Sequence, residues 1–433
     1  MSAATEDPGS ASPTVTDAVQ DSVQRSDLRI VAVTMIGVYV LFALFTVATQ
    51  GFGPRTVNAL ASSWVRLSFL FAAYSILALA LNLHWGYTGL FNIGVAGFMA
   101  MGVYGMALIS TPPDAVSGTG LGLPLPLGIL GGTVLAAVTG LLAALPALRL
   151  KADYLAIVTL GLSEIIRLSL NSATLSNWTE ATFGFGTGGG SGIDLPDVPT
   201  DALFVAGGPL DMAFPLVQTS VVRRAAWVVV MAVVVVLVYW LLARVGNSPF
   251  GRVLKAIRED ELVGRSLGKD TRWFKIKVFM LGCALMGLGG ILWQGSQGFV
   301  NPNSFRPIVT FYVFVAVIVG GSGSNTGSVV GSVLFVGLLF EGPREFGSII
   351  GDLLAVSSAP GTFPAAVAPL GSLDPMPLLA YGIDSISAFR FILLGVVLIL
   401  LMQYRPEGVL GHRTETAAAV DLHRSEHGGE NDE

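Results

Sequence analysis

The sequence has one cysteine, Cys283, in 433 residues. A lone thiol inside an apolar run permits no intrachain disulfide and has no companion for a redox pair or a thiolate metal site. Histidine is almost as scarce. His84 stands alone, while His412, His423 and His427 fall in a polar tail, and none has metal-ligand spacing. The phosphate-binding pattern G-x-x-x-x-G-K-[ST] is also missing. The nearest approach, 264–269, has the wrong spacing and is followed by Asp270, so the chain does not bind ATP by that route. Charge is thin, at 12% of residues. An integral membrane enzyme would need paired carboxylates, histidine clusters or a nucleophile near one membrane face, which His84 alone does not supply. The reading is therefore of a non-enzyme without cofactor, metal or catalytic residues, and with no nucleic-acid partner.

Apolar residues and glycine fill the space. The chain is 52% hydrophobic, has a mean hydropathy of +0.70 and carries 53 glycines, a composition that suits an all-α polytopic membrane protein surrounded by lipid. Glycine and alanine at this frequency let helix backbones approach closely. Ten apolar spans are expected at about 30–48, 67–83, 91–109, 123–148, 154–170, 225–242, 278–293, 308–319, 327–340 and 389–402. Polar, acidic tails at 1–28 and 412–433 are expected to be disordered, leaving 29–411 as the membrane domain. Two Pro/Gly-rich stretches, 171–224 and 342–384, interrupt the apolar pattern.

The density of charge in one segment sets the topology. Residues 244–277 hold nine Lys/Arg and four Asp/Glu, and each such group costs roughly 2.5–3.5 kcal/mol at the centre of a bilayer. The segment must be a solvated loop, and its cationic excess places it in the cytoplasm. Its glycine-broken, helix-forming composition predicts a short helix–turn–helix along the membrane. With the N-terminus inside, ten spans put sixteen basic residues in the cytoplasm, seven on or beside outer loops and Arg167 within a span. Both chain ends are then cytoplasmic and both Pro/Gly-rich stretches face outward.

Two further constellations stand out. Glu164 and Arg167, three apart in the fifth span, share a helix face and can pair. They either support the translocation pathway or pack that span against its neighbours. A secondary transporter would be expected to carry more intramembrane ionisable groups than these. The glycine clusters around 86–97 and 320–331, including Gly94, Gly97, Gly320 and Gly321, can open interrupted helices along a pathway to which Asn92 and Asn325 offer polar groups. Close packing through small residues is the alternative, and the two are compatible. Asn177–Trp178–Thr179 also fits the glycosylation acceptor pattern.

Five stretches, NLHWGYTGLFNIGVAGFMAMGVY, LRLKADYLAIVTLGLSEIIRLSL, TGGGSGI, NSPFGRVLKAIREDELVGRSLG and YRPEGVLG, resemble the LivM-type permease subunit of branched-chain amino acid ABC importers. The resemblance runs in order from about residue 66 to 411, and 248–268 is its most specific piece. It implies a transmembrane subunit that pairs with a LivH-type homologue, two ATP-binding subunits and an extracytoplasmic substrate-binding protein. It also implies that 258–268 is the coupling helix seated in the ATPase, with Arg258, Glu259, Asp260, Glu261, Leu262, Gly264 and Gly268 as coupling residues. Leu262 and Val263 could supply the apolar contact, and Gly264 and Gly268 a tight reversal. Permeases for urea and short amides share the resemblance, so cargo is open between these and hydrophobic amino acids. The outer stretches near 195–222 and 347–384 are longer than is usual for the family, and the N-terminal tail is extended.

Overall fold

The computed structural model describes residues 15–115, 120–148, 152–198, 200, 216–266, 268–353, 359–372, 374–385 and 390–410. They form α1 (Val15–Gln50), α2 (Pro54–Thr88), α3 (Val95–Ser110), α4 (Leu125–Ala147), α5 (Ala152–Leu170) and α6 (Ala173–Phe183). Then follow α7 (Thr219–Asn247), α8 (Pro249–Glu259), α9 (Glu261–Ser266), α10 (Thr271–Gln294), α11 (Pro307–Gly320) and α12 (Asn325–Leu334). A π-helical stretch, Phe335–Glu341, runs into α13 (Gly342–Leu353), followed by α14 (Phe363–Val367), α15 (Met376–Asp384) and α16 (Arg390–Tyr404). Among the described residues the strand content is one antiparallel pair, Ile193–Asp194 with Phe299–Val300.

Among the described residues seven helices are long and apolar enough to cross a membrane, or eight if α5 and α6, bent by 65°, are one span. Each of the ten expected spans with described residues falls in a helix, but α3 and α16 are shorter than a full crossing. The tight packing rests on absent side chains. A Cβ on Gly102 would lie 2.5 Å from Gly287 Cα, one on Gly132 would lie 2.3 Å from Gly102 O, and one on Gly140 would meet Cys283 Cβ at 2.7 Å. Thus α3, α4 and α10 cross through small residues, as helices do when lipid gives no hydrophobic drive to associate. On α4 the buried positions are Gly128, Gly132, Ala136, Gly140, Ala144 and Ala147, while Leu127, Leu130, Val134 and Leu142 are exposed. The most apolar window of the span Asn325–Gly351 is 72% buried and those of α2 and α10 are 67% buried, against 28% for α4, so α2, α10 and α12 with its π extension form the centre and α4 the rim.

The interruptions contain more structure than their composition suggests. The helix α1 begins at Val15, so the tail expected to be disordered through residue 28 is helical from that point. Neither Pro nor Gly occurs between Val15 and Asp27 to stop it. Residues 1–14 and 412–433 lie outside the described residues. In the first Pro/Gly-rich stretch, Ser172 caps α6 by accepting from Leu175 N (3.3 Å), and Thr219 already starts α7. In the second, helix continues through the π stretch into α13 despite Pro343. A proline ring clashes with the carbonyl four residues before it, and the wider i→i+5 turn immediately upstream gives it room.

Candidate functional site

The charged segment folds as an elbow. After α7, Ser248 adopts extended backbone and its Oγ accepts from Gly251 N (3.2 Å), capping α8, with Pro249 at the first helical position. Gly251 must be glycine, since a Cβ there would sit 2.2 Å from Val245 O. One face of α8 buries Leu254 and Ile257. The ammonium of Lys255, also buried, lies 5.7 Å from the centroid of the Tyr87 ring. Arg258 donates through Nη1 to Gly86 O. The elbow is thus riveted to the last turn of α2.

Asp260 leaves helical backbone and its Oδ1 accepts from Leu262 N (2.7 Å), which starts α9. The Glu261 carboxylate accepts from Lys275 Nζ (2.6 Å), Arg265 Nη2 (2.8 Å) and Thr271 Oγ1 (2.9 Å). Partial burial pushes this carboxyl up, but those three donors outweigh it and hold it at about 2. Gly264 is buried against Ile257 and Thr271, and Gly268 turns the chain at a positive φ of 71°. Exposed at the tip, alongside Arg265, Ser266, Lys269 and Asp270, are Glu259, Asp260 and the apolar pair Leu262 (70%) and Val263 (52%). Of the residues expected to couple, Arg258, Glu261 and Gly264 are tied inward.

Beside the elbow lies a closed polar network. Asn92 Nδ2 is 3.1 Å from His84 Nδ1, and His84 Nε2 is 3.1 Å from Phe279 O and 3.2 Å from Val278 O. With the Asn92 amide donating to Nδ1, the neutral ring carries its proton on Nε2 and donates to those carbonyls; this tautomer follows from the network. The ring stacks on Phe279 at 4.9 Å, and a Cβ on Gly282 would enter it. Asn82 accepts from Gly323 N (2.7 Å) and donates to Asn325 Oδ1 (3.2 Å), and Asn325 donates to the Tyr87 hydroxyl (2.8 Å).

The glycines expected near a pathway are filled by neighbouring atoms. A Cβ on Gly94 would meet Thr159 O at 2.8 Å, on Gly97 Ser163 Cα at 2.7 Å, and on Gly320 Gly327 O at 1.8 Å. Gly321 abuts Gly408, and beyond α16 Val409 N and Leu410 N donate to Val319 O (2.9 Å) and Gly320 O (3.0 Å). With Asn92 and Asn325 buried as well, this set packs helices instead of facing open space within the chain.

Glu164 and Arg167 do pair, through Nε to Oε2 at 2.9 Å and Nη2 to Oε1, and Arg167 also donates to Asn303 Oδ1 (3.0 Å). The pair is only partly buried and ties α5 to the 3-10 turn Pro302–Phe305. A second charged group escaped the sequence reading. Arg66, near the other end of α2, contacts Glu341 and donates to Glu345 (2.8 Å), partners too distant in sequence for any spacing rule to find. The one available signal was a solitary charge near the edge of each apolar run.

Fold and site together define a polytopic all-α membrane permease. Residues 63–348 match the family described as "Branched-chain amino acid transport system / permease component", and the chain belongs to it. It is 36% identical over 292 residues, 63% of this chain and 62% of the relative, to the high-affinity branched-chain amino acid transport system permease protein LivM of Escherichia coli (strain K12). It is 27% identical over 368 residues, 78% of this chain and 91% of the relative, to a probable branched-chain amino acid transport permease protein LivM of Methanocaldococcus jannaschii. The chain thus spans less than two thirds of the Escherichia coli relative's length. No solved structure matches this chain.

Proposed function

We propose that this chain is a permease subunit of an ABC importer in the cell membrane, carrying branched-chain amino acids, with ATP hydrolysed by partner subunits. Residues 29–411 form the permease domain, with both termini and the elbow in the cytoplasm. A LivH-type subunit shares the membrane, two ATP-binding subunits dock on the elbow, and a binding protein delivers cargo from the other side. Family membership and the relatives' names support the cargo class. The observation that carries the coupling role is the exposed Leu262–Val263 pair on a short helix. Its base is fixed to α2 by Arg258 and to α10 by the Glu261–Lys275 ion pair. A rigid mount under an apolar tip passes movement of a docked partner into the central helices. In this reading Asn92, Asn325, Gly94, Gly97, Gly320, Gly321, Glu164 and Arg167 serve the pathway by fixing the helices that frame it.

The test uses the assembled complex. Leu262→Ser with Val263→Ser should leave the subunit inserted, cut co-purification of the ATP-binding subunits at least tenfold, and abolish leucine uptake into vesicles. Full retention and full uptake would return the elbow to a passive connector. Uptake of urea but not of leucine, isoleucine or valine by the unaltered complex would overturn the cargo assignment.

A further inference from the structure

The end of α2 remote from the elbow opens into a cavity of about 290 Å³ between α2, α7, α10 and the π-helical stretch. This lies at the low end of small-molecule sites, which run from roughly 300 to 1,000 Å³, and suits one small ligand. From Arg66 to Gly86 α2 rises about 1.5 Å per residue, which separates this cavity from the elbow by about the thickness of a bilayer core.

The walls combine three chemistries. Trp227, Trp293 and Phe69 supply aromatic surface, and Trp227 Nε1 is already satisfied by Leu292 O (3.0 Å), so its polar edge asks for nothing more. Arg66 and Arg224 bring two guanidiniums. The Nε of Arg66 is buried with no hydrogen-bond partner among the described residues, and Arg224 is exposed. Glu341, 6% exposed at its side chain, brings a carboxylate. It is the last residue of the π stretch, a form of helix that occurs mostly as short insertions in α-helices, frequently at functional sites.

We propose that this cavity binds a free α-amino acid with an apolar side chain. Arg224 and Arg66 Nε take the carboxylate, Glu341 takes the ammonium, and the aromatic walls take the side chain. Two unlike charges a short distance apart beside an apolar recess match a zwitterion, which offers each a counter-charge when it loosens the Arg66–Glu341 pair, whereas a neutral amide offers neither. The inference rests on the proposed function for the cargo class and adds where within this subunit the cargo is held.

Full-length chain in phosphatidylcholine nanodiscs provides the test, with the emission of Trp227 and Trp293 as readout and L-leucine, leucinamide and 4-methylpentanoate as probes. Leucine should give a saturable change, and the two analogues, each lacking one charge, should bind at least tenfold more weakly. Arg224→Gln, an exposed position, should weaken leucine at least tenfold, and Trp227→Phe should shrink the signal. No saturable leucine signal, equal binding of leucinamide, or unaltered binding in Arg224→Gln would each overturn the site. Uptake by the assembled complex separates the two readings. Leucine uptake with an unchanged KM and unchanged binding in Arg224→Gln removes the cavity and leaves the proposed function. Binding that is lost in Arg224→Gln, in a complex that takes up no branched-chain amino acid, removes the proposed function and leaves the cavity.

Discussion

At one end of α2, Asn82 and His84 are fully buried and every polar atom of theirs with a described contact meets a neutral partner: a backbone amide, a carbonyl, another amide side chain. At the other end, Arg66 is partly exposed, holds two carboxylates and still has an unanswered Nε beside a cavity. The first arrangement satisfies donors with neutral acceptors and fixes helices in place. The second leaves charge where a ligand can complete it. One helix thus carries a closed polar joint beneath the elbow and an open polar site a membrane's thickness away.

The sharpest way to break the closed joint is to fill it. Gly320→Ala would place a Cβ 1.8 Å from Gly327 O, and Gly282→Ala one 2.0 Å from His84 Nε2. Since backbone cannot yield as a flexible side chain can, Gly320→Ala should cost about 3 kcal/mol or more and abolish monodisperse protein on size exclusion. Normal yield and thermal stability would show that the α11–α12 hairpin is looser than described.

Removing a hydrogen-bonding side chain from the same joint should cost less. Asn82→Ala leaves Gly323 N and Asn325 Oδ1 without their partner, a loss of about 2 kcal/mol, read as a lower unfolding midpoint in detergent. A midpoint equal to that of the unaltered protein would mean that water enters the joint.

Glu164→Gln lies away from both ends and calibrates a part-exposed pair. With Glu164 about a third exposed and Asn303 still holding Arg167, the loss should be about 0.5–1 kcal/mol. A fall of the size expected for a broken buried pair, about 3–5 kcal/mol, would show that the pair is covered in the assembled transporter.

The smallest effect concerns pH. The Glu261 carboxyl is held at about 2, below its ordinary 4.5, so its stabilising contribution is complete above that ordinary value and fades as pH falls from 4.5 towards 2. Amide exchange across α9, corrected for intrinsic rates, should stay flat from pH 7 to 5 and accelerate below 4.5. In Glu261→Gln it should be faster throughout and lose the step. A step retained in that variant would assign it to another group.

Much of this was legible in the chain because apolar runs report lipid-spanning helices directly. The charge in 244–277 could only be a solvated loop, and the structure gives it as two short helices. Glu261 shows the limit. Its i,i+4 partner Arg265 was readable from spacing, yet Lys275 and Thr271 are brought in by the turn at Gly268. A residue that looked available to a partner is therefore mostly spent inside the elbow. The Arg66–Glu341 contact depends on how α2 packs against a π stretch, a helical irregularity with no period to detect. The glycines were legible only in part. Composition shows that backbones can approach, not whether the vacated space holds a pathway or another backbone, and at Gly320 it holds Gly327.

The backbone bonds from Val409 and Leu410 to Val319 and Gly320 have a bearing on biosynthesis. The α11–α12 hairpin leaves the ribosome well before the turns at 405–410 that cap it, and in the interval its turn carbonyls have no mate from that segment. Maturation of the hairpin is therefore timed by the arrival of the chain's last described turn. A nascent chain halted before Arg405 would present the membrane quality-control machinery with an otherwise inserted subunit whose central turn is unsealed.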